Sequence, residues 1–242
     1  MFFEQDYLIG IQDVGADNEL SNRAILEAFT NTSNIHSIRV HQSTADMQES
    51  HIAWFIMNWK LQVFQRPKLY ETFRARTWAQ QYTRAYANRD FKAFNSKGET
   101  IAIATSVWVA VNPETGAIQR MTPELMEGYE PEMEIQNFPG YRFPKTLPDG
   151  FPVITEKTFA ISKAMIDCNH HVHNTAYLDL AAEVLPEGID TVPFRQVEVR
   201  YKQEIHPGET VHLSYVRENE KHHVLIRNTT DGGLHALVTL WN

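Results

Sequence analysis

The sequence predicts an α+β protein of two tandem domains, each a long buried helix wrapped by a curled antiparallel sheet. Three features carry that prediction. Between Glu130 and Pro152 stand Pro131, Pro139, Pro144, Pro148 and Pro152 with Gly140 and Gly150, a density of breakers that neither a helix nor a central strand tolerates. The flanking sequences repeat weakly. Asn22-Arg23-Ala24-Ile25-Leu26-Glu27 and Asn174-Thr175-Ala176-Tyr177-Leu178-Asp179 both read N-x-A-x-L-acid at an offset of 152, and Glu71-Thr72-Phe73-Arg74-Ala75 faces Glu209-Thr210-Val211-His212-Leu213 at 138. After each helix candidate, apolar residues alternate with period two, as half-buried strands do. Domains are therefore expected at 1–128 and 153–242, joined by a Pro-rich linker over 129–152.

The first helix opens at Asn22, a good N-cap, as Asn174 is for the second. The difference between the two offsets leaves the first half 14 extra residues between helix and sheet. Phe55, Met57, Trp59, Leu61 and Val63 then alternate, and so do Ile101, Ile103, Thr105, Val107, Val109 and Val111. Strict alternation places Phe55, Met57, Trp59 and Leu61 on one face. In the second half the helix over Thr175–Leu185 is apolar nearly all round and is expected to be enclosed. Strands follow at Val197–Tyr201, Val211–Tyr215, His223–Thr229 and Leu234–Trp241.

With 43% hydrophobic and 21% charged residues the chain can build packed cores, which excludes disordered and collagen-like classes. The opening MFFEQDYLIGIQDVG has no basic leader and interrupts its apolar residues with Glu4, Asp6 and Asp13, so it is expected to be neither a signal nor a transit peptide. No stretch approaches the roughly 18 apolar residues of a membrane span. Cys168 is the sole cysteine, which excludes an internal disulfide or CxxC site and makes the cytoplasm the expected location. A net charge of −8 argues against nucleic acid as a partner. Residues 66–97 nevertheless hold eight basic side chains against only Glu71 and Asp90, a local +6. This stretch reads either as a solvated sheet face or as a docking patch for an acidic partner, with Arg84, Arg89 and Lys92 as candidate contacts.

Candidate chemistry concentrates just ahead of the second helix, in Asp167-Cys168-Asn169-His170-His171-Val172-His173-Asn174. His171 and His173 form an H-x-H pair that suggests a metal site, but no acidic or cysteine ligand recurs at metal spacing elsewhere, so none is expected. Cys168 lies near histidines, yet alternation turns it away from Asn169 and His171, and a buried structural thiol is the favoured reading over a nucleophile. The bland alternative for the whole cluster is a polar loop that caps a helix. No G-x-S-x-G elbow, P-loop or G-x-G-x-x-G occurs, which removes serine hydrolases and nucleotide enzymes.

The run D-C-N-H-H-V-H-N-T-A-Y-L resembles the D-x-N-x-H-V-N-N-x-x-Y motif that opens the catalytic helix of plant and bacterial acyl-ACP thioesterases. Asp167, Asn169, His171, Val172, Asn174 and Tyr177 match it, while His173 stands where that family usually has Asn. A second landmark, a Glu in an E-Y-R-R-E-C-G-R-D-S-like stretch, is matched by Val199–Gly208 with Glu204 in register and Ile205 in place of the Cys. The resemblance implies two tandem hotdog domains and hydrolysis of fatty acyl-ACP to fatty acid and acyl carrier protein, without metal or organic cofactor. It implies a catalytic set of Asp167, Asn169, His171 and Glu204, with Glu204 or Asp167 the base for water. Asn174, at the helix opening, is a candidate substrate contact beside unpaired backbone N–H groups suited to an oxyanion. Alternation from Val197 puts Glu204 on the wrong face of its strand, so a bulge or bend is expected near Gln203.

At the 152 offset, Asp17 and Glu19 stand where Asn169 and His171 would, so the first domain is expected to be silent and to hold the acyl tail, with Phe55, Met57, Trp59 and Leu61 as candidate lining. The basic stretch favours the acidic carrier over CoA. An acyl-CoA thioesterase is the alternative enzyme, and a non-catalytic acyl-binding protein the alternative of another class. A homodimer is allowed for.

Overall fold

The computed structural model describes residues 1–43, 46, 51–148 and 150–242. They form two compact units, Met1–Tyr141 and Arg142–Asn242. In the first, β1 (Phe3–Leu8) precedes helix α1 (Asn22–Arg39), and β2 (Ala53–Val63), β3 (Thr72–Tyr82), β4 (Ala87–Asn95) and β5 (Thr100–Val111) complete an antiparallel sheet ordered β1-β3-β4-β5-β2. The two-residue β6 (Ile118–Gln119) pairs with β5, and a short helix α2 (Pro123–Glu127) follows. In the second unit come β7 (Val153–Ala160), helix α3 (Ala176–Ala182), β8 (Gln196–Tyr201), β9 (Thr210–Glu218), β10 (Lys221–Asn228) and β11 (Leu234–Trp241). Read from β7, their sheet order β7-β9-β10-β11-β8 repeats the first unit's β1-β3-β4-β5-β2 in the same sequence of roles. Each unit is a helix set into an antiparallel sheet, the hotdog arrangement.

α1 lies against β1 and β3, burying Ile25, Leu26 and Phe29 completely. Its cap is Ser21, whose hydroxyl accepts from Ala24 N, so Asn22 is the first helical residue and not the cap. α1 has 18 residues and α3 only 7, which takes up most of the first half's surplus. The helix expected over Thr175–Leu185 thus stops early, because Pro186 forces its predecessor out of helical geometry. It is also one-sided: Ala176, Tyr177, Leu180 and Ala181 are buried, while Leu178 is partly covered and Ala182 exposed.

Alternation misled in two strands. A bulge between Ile56 and Asn58 leaves Met57 outside the pairing with β5. The expected common face of Phe55, Met57, Trp59 and Leu61 therefore does not exist. Trp59 and Leu61 face the core, fully buried, whereas the extra residue turns Phe55 to the opposite side. In β5 the buried face is the small one, Ala102, Ala104, Ser106 and Ala110, which leaves room for Trp59 and Phe91 with ring centroids 4.9 Å apart. Phe91 in turn stacks on Phe29 at 5.1 Å.

The segment expected as a linker divides between the units. Residues up to Tyr141 strap the outer face of the first sheet. Glu132 N donates to Ala79 O, Trp78 Nε1 to Ile135 O, and Asn137 Nδ2 to the carbonyls of Phe91 and Ala104. In the second unit, Arg200 donates to the carbonyls of Pro144 and Thr146.

Under the first strap lies Asp90, 1% exposed, which accepts from Asn137 N at 2.7 Å. Burial pushes its carboxyl up to about 6. A raised folded-state value means that Asp90 favours the fold below the ordinary carboxylate range, and that this contribution is lost as pH rises through about 6. Asp90→Asn is thus expected to raise unfolding free energy at pH 8 by about 1–3 kcal/mol, with the difference closing towards pH 4. Denaturant unfolding at both pH values checks this, and an equal or lower stability at pH 8 would contradict it.

Candidate functional site

The polar cluster ahead of α3 is a tight hairpin. A helical turn at Lys163–Met165, capped by Ser162, leads into an antiparallel bridge between Ile166 and Val172. Asp167 N donates to His171 O at 3.0 Å, and His170 N to Asp167 O at 3.1 Å, with His170 left-handed at φ 63°. Such a turn sets the side chains of Asp167 and His171 together. Asp167 Oδ1 accepts from Asn169 N at 2.8 Å, and Asp167 Oδ2 stands 3.5 Å from His171 Nδ1.

Glu204 arrives from the other side. β8 ends at Tyr201, and Lys202 N and Gln203 N then both donate to His235 O, at 2.8 and 3.2 Å. Two amides on one carbonyl is a bulge, the bend expected near Gln203. Val172 N donates to Ile205 O at 2.9 Å and joins the two loops. Glu204 Oε1 lies 3.6 Å from His171 Nε2. The result is a line Asp167···His171···Glu204. Nδ1 of His171 faces Asp167 and, at 3.4 Å, the Val172 carbonyl, while Nε2 faces Glu204, so each ring nitrogen stands beside an acceptor. Glu204 Oε1 is buried and accepts no hydrogen bond.

The other expected residues fall as follows. Asn169 is exposed beside Asp167, its Nδ2 3.5 Å from Asp167 Oδ2. Asn174 lies outside α3, and its carbonyl accepts from Tyr201 Oη at 2.7 Å. His173 Nδ1 meets Thr175 Oγ1 at 2.8 Å and accepts from Thr175 N, so this histidine closes off the start of α3. Ala176 N and Leu178 N are also taken, by the carbonyls of His173 and Thr175. These groups at the helix opening are therefore not spare as expected, and the side chains beside the line that can donate are Asn169, whose Nδ2 lies 3.5 Å from Asp167 Oδ2, and His171. Cys168 is exposed, which corrects the expectation of a buried thiol: the hairpin turns it outward. No group of three or more His, Cys, Asp or Glu among the described residues could hold a metal ion.

Sequence reasoning missed three neighbours. Tyr177, 2% exposed, has its phenol pushed up by burial and then by Glu204, which keeps it protonated beside the carboxylate. His206 Nε2 is 4.0 Å from Glu204 Oε2. His235 lies beneath the bulge. Tyr177 belongs to the motif already matched, and His206 stands two residues from Glu204; His235 has no local signal.

The first unit carries the same loop with different side chains. Val14 bridges Leu20 as Ile166 bridges Val172, and Asn18 takes φ 61° where His170 takes 63°. Leu20 N donates to Pro67 O as Val172 N does to Ile205 O. At the two offsets, Gly15, Asp17 and Glu19 stand for Asp167, Asn169 and His171, and Arg66 stands for Glu204. Arg66 is committed to Leu20 O at 2.6 Å and Asn22 Oδ1 at 2.7 Å.

The basic stretch disperses on folding. Arg74 pairs with Asp6 at 2.7 Å and Arg76 with Glu4 at 2.5 Å, across the β1·β3 ladder. Arg89 is 7% exposed and donates to His36 Nδ1 at 3.1 Å, with its guanidinium 4.8 Å over the Tyr129 ring, so it cannot meet a docked partner. Burial, then the Arg89 charge, holds His36 down to about 3, so that ring is neutral. Arg84 stays exposed and lines an open cleft of about 490 Å³ with Arg120, Thr83, Thr122 and Glu124. Lys92 is partly exposed.

Two family models match the chain: the acyl-ACP thioesterase N-terminal domain over residues 1–129 and the C-terminal domain over 153–242. Oleoyl-acyl carrier protein thioesterase 2, chloroplastic, of Arabidopsis thaliana is 26% identical over 87% of this chain and 60% of its own length. A palmitoyl-acyl carrier protein thioesterase of Cuphea hookeriana is 23% identical over 84% of this chain and 52% of its own. The chain thus spans between half and two thirds of these relatives. A 12:0-ACP thioesterase from Umbellularia californica superposes with a TM-score of 0.85 at 16% identity, covering 99% of this chain and 96% of that one. An acyl-ACP thioesterase from Bacteroides thetaiotaomicron gives 0.85 at 19% identity, covering 99% and 97%. These likenesses bear on the fold, and the two matched models together cover most of the sequence: the chain belongs to the acyl-ACP thioesterase family.

Proposed function

We propose that this chain hydrolyses the thioester of fatty acyl-ACP, releasing a free fatty acid and the carrier, with water activated by Glu204. The observation that carries the reading is the line Asp167···His171···Glu204, in which Nδ1 of His171 lies 3.5 Å from Asp167 and Nε2 lies 3.6 Å from Glu204. Asp167 is engaged by Asn169 N, whereas Glu204 Oε1 has no hydrogen-bond donor, which favours Glu204 as the base. Water attacks the thioester carbonyl carbon and gives its proton to Glu204. The tetrahedral oxyanion is met by Asn169 Nδ2 and His171, and its collapse breaks the C–S bond. The proton held by Glu204 goes to the departing thiolate.

For the carrier we retain Arg84 and Lys92 and add Arg120, whose exposed guanidinium shares the cleft with Arg84. Met121 N donates to Arg84 O at 3.0 Å, so the two arginines ride on joined loops. The first unit is the silent one that holds the acyl tail, a reading supported by Arg66 in the place of Glu204. Among the described residues no helix is long and apolar enough to cross a membrane. The exposed, unbridged Cys168 fits a reducing compartment, and we place the protein in the cytoplasm. A homodimer would suit the edge strand β7, where Val153 and Ile154 are 52% and 51% exposed, and light scattering would test it.

Initial rates on a panel of acyl-ACPs and acyl-CoAs test the reading. Preference for CoA substrates would replace the carrier, and no hydrolysis of either would leave a binding protein. Charge reversal at Arg84 and Arg120 is expected to raise KM for acyl-ACP about tenfold or more at low salt, with kcat and hydrolysis of a small thioester nearly intact. An unchanged KM would move the carrier elsewhere.

A further inference from the structure

Glu204 is held by a four-residue loop, Gln203 to His206, clamped at both ends. At the Gln203 end, Lys202 N and Gln203 N share the His235 carbonyl. At the His206 end, Glu209 Oε1 accepts from His206 N at 3.2 Å. The first unit repeats both clamps. Phe64 N and Gln65 N share the Ile101 carbonyl at 2.8 and 3.2 Å, and Glu71 Oε2 accepts from Lys68 N at 2.7 Å. One member changes character. Where the silent loop rests on Ile101, fully buried, the loop carrying Glu204 rests on His235, 2% exposed.

The fold does not ask for a histidine there, since isoleucine closes the sibling loop with the same two backbone bonds. The His235 side chain makes two contacts that isoleucine cannot. Its Nδ1 lies 3.3 Å from Gln203 O, the carbonyl just before Glu204, and its Nε2 lies 3.4 Å from Glu209 Oε2, an ion-pair distance without hydrogen-bond alignment. One ring thus ties the entry of the loop to the carboxylate that clamps its exit. A buried polar side chain with such contacts fixes a single loop geometry where an apolar one only fills space.

We infer that His235 is a positioning residue that holds Glu204 at His171, through Gln203 O and Glu209. The inference rests on the role proposed for Glu204. The test compares His235→Ile, Glu204→Gln and the double variant with the wild type, by acyl-ACP kinetics, thermal unfolding and a crystal structure of His235→Ile. The sibling loop supplies the reason to expect that His235→Ile folds and melts with the wild type. Its kcat is expected to fall about 10- to 100-fold with KM unchanged, as for a misplacement of about 1 Å at a reacting group. The double variant should be no slower than Glu204→Gln alone, because both changes act on one carboxylate. His235→Gln, whose amide N–H can reach the Gln203 carbonyl, should recover part of the loss. Wild-type kcat in His235→Ile beside an impaired Glu204→Gln overturns the inference, and so does a double variant whose loss is the product of the single losses. Wild-type turnover in Glu204→Gln sinks the base assignment instead. The crystal structure then decides alone: Glu204 unmoved at His171 in His235→Ile overturns the positioning role.

Discussion

Glu204→Gln is expected to lower turnover of acyl-ACP about 100-fold or more, since the amide keeps the shape of the side chain and removes its capacity to take a proton. His171→Ala and Asn169→Ala should cost about as much, the one by removing the ring between the two carboxylates, the other by removing an oxyanion donor. Asp167→Asn should cost less than Glu204→Gln, because the Asn side-chain oxygen can still accept from Asn169 N, the contact that shapes the hairpin. That ordering separates the two carboxylates left open by the sequence. Cys168→Ser should retain full activity, since the thiol is exposed and turned out of the hairpin. Single-turnover rates on each folded variant would measure all five. A dead Cys168→Ser beside a fully active Glu204→Gln would replace activated water with a thiol nucleophile.

The duplicated architecture was legible because each copy keeps its punctuation. Thr72 and Thr210 do begin equivalent strands, β3 and β9. Charge was less legible. The basic run from Arg66 to Lys97 was counted along the chain, but its partners Glu4 and Asp6 lie on β1, some seventy positions away and adjacent only through the β1·β3 ladder. Arg89 reads as one more surface cation until His36 on α1 is brought to it. Period-two alternation found strands but not always their inner face. One extra residue at Met57 reverses everything before it, and β5 buries its alanines because the aromatic rings of its neighbours need the space. At the site, the hairpin was local and could be read, whereas His235 reaches Glu204 only through strand pairing and leaves no trace in the motif.

The comparison of the two copies also limits what the first can do. Its loop retains the bridge, the left-handed residue and both clamps, while Asp17, Glu19 and Arg66 stand where the proposed site has Asn169, His171 and Glu204. Arg66 is no base and is bound to Leu20 O and Asn22, where it steadies the start of α1. Substitutions in this unit should therefore change what is hydrolysed or whether the protein folds, and leave the chemical step alone.

Trp59 is where those two outcomes are best separated. It is fully buried against Phe91, so Trp59→Ala should destabilise the protein by about 3–5 kcal/mol, from lost transfer energy and from the cavity left behind. Its Nε1 is buried without a hydrogen-bond partner, so Trp59→Phe removes an unsatisfied N–H along with part of the ring and should cost much less. If the tail enters the first unit beside this ring, the shortened side chain deepens its cavity. Each buried methylene is worth about 0.8 kcal/mol, so Trp59→Phe should move the preferred chain upward by roughly two carbons, and Met57→Trp should move it down if the bulged residue faces the same space. Denaturant unfolding measures the first effect, and chromatography of the fatty acids released from an acyl-ACP series measures the second. If folded Trp59→Phe and Met57→Trp keep the parent chain-length profile while substitutions around Tyr177 and Leu180 shift it, the tail lies beside α3 in the second unit.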